Sequence, residues 1–190
     1  MKLWTAQTAD VWKKLEEQGS ITVKKEYIRK KYGECAWSFL IAYDYLAKKL
    51  SEKVPPPEGA ESPVWLFADP KWAMDVSVPV EVPESEILLF DLRKWYRVLS
   101  LSYVGTKREE EVFDAMLKRQ GIRDSSEVFR TPYYPLQKKQ ILASWERIFD
   151  LPDHPQFYQA ACWQLKKEWR ISEECGSGDR TSLLLYNENK

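Results

Sequence analysis

The chain has 190 residues, 44% of them hydrophobic and 31% charged, and its 29 Lys and Arg residues balance 29 Asp and Glu residues to a net charge of zero. That size fits one domain, or one domain with a small appendage. The charge balance speaks against generic nucleic-acid binding, which relies on clustered cations neutralising phosphates. The start, Met1-Lys2-Leu3-Trp4-Thr5, has no apolar stretch of signal-peptide length, and no run along the chain is suited to crossing a bilayer. A cytoplasmic protein with no membrane partner is expected. Cys35, Cys162 and Cys175 are widely spaced and His154 is the only histidine. Neither a disulfide framework nor a metal site is expected from that set.

In chain order, Lys2 to Gln7 reads as a strand. Thr8 then serves as N-cap for an amphipathic helix over Ala9 to Gln18, with Val11, Trp12 and Leu15 on one face. Gly19 stops it, and Ser20 to Val23 is β-rich. A second helix is expected over Glu34 to Lys53, apolar at Trp37, Leu40, Ile41, Tyr45 and Leu46, and ended by Pro55-Pro56-Pro57. Val64 to Phe67 and Val76 to Val82 are strand candidates, with Pro79 assigning the second to an edge or a bulge. Ile87 to Phe90 follows a turn, and Asp91 caps a helix through Trp95 and Val98.

From Lys107 onward the spacing is helical: Glu109 to Arg119, ended by Gly121, then Pro135 to Phe149, then Pro155 to Trp169. Trp145, Ile148 and Phe149 are expected to pack against Trp163 and Leu165 as antiparallel helices. Residues 1–170 form one unit in this reading, and 171–190 a tail in which Thr181 to Tyr186 is either an added strand or a frayed end. The expected fold class is α+β: a mainly antiparallel sheet packed by helices, with a helical C-terminal third.

Nine tryptophans run through the chain, many in phrases with acids and other aromatics: Tyr43-Asp44-Tyr45, Asp91-Leu92-Arg93-Lys94-Trp95-Tyr96 and Trp145-Glu146-Arg147. Such rings either build a core or line a groove with flat faces that stack a ligand while the polar groups hold its edge. The segment Lys24 to Tyr32 interleaves cations with Tyr27 and Tyr32, either a solvated face or a patch for a phosphate backbone. His154 lies between prolines, and Glu81, Glu84 and Glu86 flank a strand turn; none has an evident catalytic partner. Glycine-rich phosphate loops, the GxSxG elbow and the HExxH helix are all missing.

Taken in order, Leu3-Trp4-Thr5-Ala6-Gln7, Ala42-Tyr43-Asp44-Tyr45-Leu46, Leu88-Leu89-Phe90-Asp91 with Trp95, Ser144 to Leu151 and Gln159 to Leu165 form a distinctive series. It resembles the bacterial and phage domain-of-unknown-function family 3841 over about residues 1 to 170. The resemblance implies no activity. It implies a histidine after Trp95, where this chain has Tyr96. The order of elements is also loosely similar to small ADP-ribosyltransferase folds, which implies a fold more than a function.

The expected function is therefore a small binding domain whose aromatic cleft lies where Trp4, Gln7, Tyr43 and Trp95 converge. Thr5, Gln7, Tyr43, Asp91 and Trp95 are the candidate ligand-binding residues, with Thr5 and Gln7 on the strand face opposite Trp4. No catalytic residue is assigned and no cofactor is expected. The alternatives are an ADP-ribosyltransferase-like enzyme using NAD, and a phage or host interaction protein that binds another protein through exposed tryptophans.

Overall fold

A computed structural model describes residues 1–73 and 77–171. The elements run β1 (Lys2–Ala6), α1 (Ala9–Gln18), β2 (Ser20–Thr22), α2 (Lys25–Tyr32), α3 (Ala36–Lys53), β3 (Val64–Phe67), β4 (Ser77–Glu81) and β5 (Leu88–Asp91). Then come α4 (Leu92–Leu99), α5 (Lys107–Arg119), α6 (Glu127–Arg130), α7 (Pro135–Ser144), β6 (Tyr158–Cys162) and β7 (Gln164–Lys166). The fold is α+β. Five antiparallel strands form a sheet in the order β4-β1-β3-β6-β5, and β2 pairs with β7 in a separate ribbon. No helix among the described residues is long and apolar enough to cross a membrane.

Alternation in β1 works as expected. Leu3 and Thr5 are buried on one face, and Trp4 is half-buried on the other. Pro79 lies in β4 at the sheet edge, paired with Trp4. A proline has no N–H for a ladder, so an edge is where it is tolerated. Its carbonyl accepts a hydrogen bond from the Ile171 N–H at 3.1 Å, bringing the end of the described chain back onto this strand. The expected tail strand, Thr181 to Tyr186, lies outside the described residues.

The sheet divides the interior into two cores. On one face, Trp65, Phe90 and Ala161 pack beneath α3 and α4 with Leu46, Leu50 and Trp95, and this core extends through Trp145 and Ile148. On the other, Leu3, Leu66, Val80 and Ala160 meet Leu15 of α1, Leu165 and Trp169. Trp145 and Ile148 share their core with Trp163 as expected, but Leu165 belongs to the second core and Phe149 is only half-buried.

The cause is a corrected element. Residues 155–169 do not form a helix: a turn at Pro155–Phe157 leads into β6, β7 and a last turn at Lys167–Trp169. The apolar spacing of Tyr158, Ala161, Cys162 and Leu165 suits a helix. However, Gln159 to Trp163 is a continuously buried run, and a strand enclosed on both faces also reads that way. β6 occupies such a position, between β3 and β5. Among the described residues, the last α-helix of the C-terminal third is α7, and after it come only single helical turns at Trp145–Phe149, Pro155–Phe157 and Lys167–Trp169 around the strands β6 and β7.

Buried tryptophans need a partner for the indole N–H. Trp163 donates to the Val54 carbonyl at 2.8 Å, beyond the end of α3, and Trp145 donates to the Ser102 carbonyl at 2.8 Å. Trp145 is fully buried, with Tyr45 edge-on at 5.1 Å and Phe129 stacked at 5.7 Å. Trp145→Ala is expected to cost roughly 3–5 kcal/mol in urea unfolding, as aromatic truncation in a packed core does. A loss below about 1 kcal/mol would place Trp145 outside the load of the core.

At the start of α5, Thr106 and Glu109 form a capping box, and Glu109 also holds Arg147 through two bonds of 2.7 and 3.0 Å. Gly105 permits this close packing, since a Cβ there would sit 2.9 Å from the Tyr103 ring and 3.0 Å from the Glu109 carboxylate. The Arg147 guanidinium, then the Thr106 N–H, hold the Glu109 carboxyl down to about 2, from an ordinary value of 4.5. A carboxyl depressed on folding stabilises the native state above its unfolded pKa, and that stability is lost as pH falls towards the folded value. The stability gap between the wild type and Glu109→Gln is therefore expected at pH 6 and closes between about pH 5 and pH 2. Chemical denaturation across that range checks it; a gap independent of pH would contradict the assignment.

Candidate functional site

At the end of the sheet where β1 finishes and β3 begins, α1, β2, α2 and α3 surround a cleft of about 420 Å³. Gln7 and Thr8 reach it from the link between β1 and α1, Val23 from the end of β2, Tyr43 from α3, and Ser62 to Trp65 from the start of β3. The helix α2 supplies Tyr27, Ile28, Lys31 and Tyr32. Positions three to four apart share a helix face, so these four side chains form one wall.

Gln7 is held in a fixed orientation. Its amide Nε2 donates to Thr5 Oγ1 at 3.0 Å, and the Thr5 hydroxyl donates to the Trp65 carbonyl at 3.0 Å. Thr5 is fully buried, whereas Gln7 is half-buried at the cleft. One amide N–H is committed to Thr5, which leaves Gln7 Oε1 as an acceptor and the second N–H as a donor.

Behind the cleft, Tyr43 lies 4.8 Å from Trp65 and 6.4 Å from Trp95 between ring centroids, and Trp65 and Trp95 are 5.5 Å apart. Phe90 closes the group at 5.4 Å from Trp95. Burial, reinforced by the neighbouring Tyr32 phenol, raises the Tyr43 pKa well above the ordinary tyrosine value. Tyr43 is thus a neutral hydroxyl at physiological pH.

The five candidate residues separate accordingly. Gln7 and Tyr43 line the cleft, Thr5 positions Gln7, and Trp95 stacks behind Tyr43 with 2% of its surface exposed. Asp91 stands apart: it is buried, caps α4 by accepting from the Arg93 N–H at 2.9 Å, and pairs with the Arg93 side chain at 3.2 Å. Trp4 does not line the cleft; Lys2 Nζ lies 5.4 Å from its ring centroid.

Several lining residues escaped the reading of the sequence. Tyr27, Lys31 and Tyr32 stood in the run expected to be a solvated face or a phosphate-backbone patch, and the helix that sets them on one cleft wall was not expected. Ser62 had no signal at all. It is 1% exposed, its N–H bonds the Val23 carbonyl at 3.1 Å, and its buried hydroxyl has no partner among the described residues. Two larger and more open grooves, of about 730 and 700 Å³, flank α7 on its α5 and α3 sides. Among the described residues, no group of three or more His, Cys, Asp and Glu side chains is placed to hold a metal ion.

A family described as a domain of unknown function (DUF3841) matches residues 2–171. The chain belongs to that family. No curated protein and no solved structure matches it. The DUF3841 span includes every residue of the cleft. Tyr96, which stands where the resemblance implies a histidine, is 52% exposed on α4 and does not line the cleft. The strand–helix–strand opening that suggested an ADP-ribosyltransferase layout places β1 and β2 in different sheets.

Proposed function

We propose that this protein is a small-molecule-binding domain, and that its cleft takes a planar aromatic or heteroaromatic ligand bearing a hydrogen-bond donor. The observation that carries this reading is the Gln7 side-chain amide, oriented through the buried Thr5 at the edge of a cleft walled by Tyr27, Tyr32, Tyr43 and Trp65. Flat aromatic walls favour a ring, and a few placed polar groups set its orientation. Ser62 adds a buried hydroxyl that lacks a protein partner, and Lys31 adds a cation suited to an acidic substituent. The cleft volume of about 420 Å³ falls within the roughly 300–1,000 Å³ usual for ligand sites.

Trp65 reports on this cleft through intrinsic fluorescence. Titration with nucleobases, mononucleotides and NAD is expected to give a saturable change for at least one of them. Gln7→Ala is expected to weaken that response by roughly 3- to 10-fold, the equivalent of one hydrogen bond. Silence of the wild type towards the whole panel, or equal affinity in Gln7→Ala, would overturn the reading and favour a protein-partner role.

A further inference from the structure

The groove between α3 and α7, about 700 Å³, is separate from the cleft and has a different chemistry. Its floor is apolar, with Ile41, Tyr45 and Leu142, and its walls carry Lys48 and Lys49 from α3 and Lys138 and Lys139 from α7. Two acids also line it, and each already has a cation. Asp44 pairs with Lys25 at 2.6 Å, and Glu146 pairs with Lys49 at 2.8 Å while accepting from the Tyr45 hydroxyl at 3.1 Å. Lys48, Lys138 and Lys139 line one groove from two helices and take part in no ion pair among the described residues; the Lys138 ammonium lies 5.4 Å from the centroid of the neighbouring Phe129 ring.

We propose that the α3–α7 groove binds a phosphate-rich anion, a run of linked phosphates gripped by Lys48 on one wall and Lys138 and Lys139 on the other. Ammonium groups on opposite walls of a single groove repel one another, and a polyanion between them relieves that repulsion while gaining charge-assisted hydrogen bonds. Zero net charge overall does not exclude the site, since the groove itself is lined by four lysines and only two acids, both already paired. Free polyphosphate and a single-stranded nucleic-acid backbone present the same chemistry, and the two differ in length.

The test uses the full chain at low salt, with tripolyphosphate followed by calorimetry and labelled oligothymidylate followed by fluorescence anisotropy. Binding of at least one probe is expected, with affinity falling steeply as salt rises. Charge reversal at Lys48, Lys138 and Lys139 together is expected to weaken it more than about 10-fold, each cation having contributed to phosphate neutralisation. Reversal at Lys13 and Lys14, exposed on α1, is expected to leave it unchanged. Gln7→Ala is also expected to leave it unchanged, so that failure here and failure at the cleft are distinguishable. Tripolyphosphate binding alone assigns a discrete phosphate ligand, and oligothymidylate binding assigns a backbone. Absence of binding by both probes, or equal binding by the groove variant with its circular dichroism intact, would overturn the proposal.

Discussion

Trp65 is the residue on which both fold and cleft depend. Its ring packs against Tyr43 of α3, Trp95 of α4 and Phe90 of β5, while its carbonyl accepts the Thr5 hydroxyl from β1. Aromatic pairs of this kind add roughly 0.5–1.5 kcal/mol each beyond the area they bury. The larger consequence is geometric. One strand residue ties the sheet to two helices through its side chain and to its neighbouring strand through its backbone. The cleft wall and the core are the same set of contacts, so the orientation of Gln7 is inherited from core packing and not set by a mobile loop.

What the sequence made legible follows the strength of local signals. β1 declared itself by alternation, α3 by a long apolar stripe closed by three prolines, and α4 by Asp91, whose carboxylate does accept from the Arg93 N–H. Pro79 marked an edge strand because its missing N–H leaves few other positions in a sheet. The segment 155–169 misled because a strand buried on both faces has no alternation, and its apolar residues happened to fall at helical intervals. Only the tertiary pairing of β6 with β3 and β5 decides between the two. The same error put Leu165 beside Trp145, when the ribbon of β2 and β7 carries it to the opposite core.

The site was legible to a similar degree. Gln7 stood out as a polar group at the end of the first strand and Tyr43 as part of an acid–aromatic phrase, and both line one cleft. Asp91 carried an equally suggestive phrase, yet its carboxylate serves a helix end and one arginine. A capping acid and a ligand-binding acid look alike in one dimension. Ser62 and Trp65 were invisible as site residues because their role comes from a bridge to Val23 and a strand register, both long-range facts. Zero net charge likewise concealed local structure: a balanced total says nothing about where lysines gather, as on α2 and α7.

The central claim is that a fixed acceptor beside aromatic walls makes this cleft a ligand site. Crystals soaked with small planar heteroaromatic fragments test it most directly. The account predicts fragment density in the cleft between α2 and the start of β3, with a ring donor about 2.7–3.2 Å from Gln7 Oε1 and the Gln7–Thr5 hydrogen bond intact. Fragments that collect only in the grooves beside α7, or a Gln7 amide turned away from Thr5 in the soaked crystals, would contradict it.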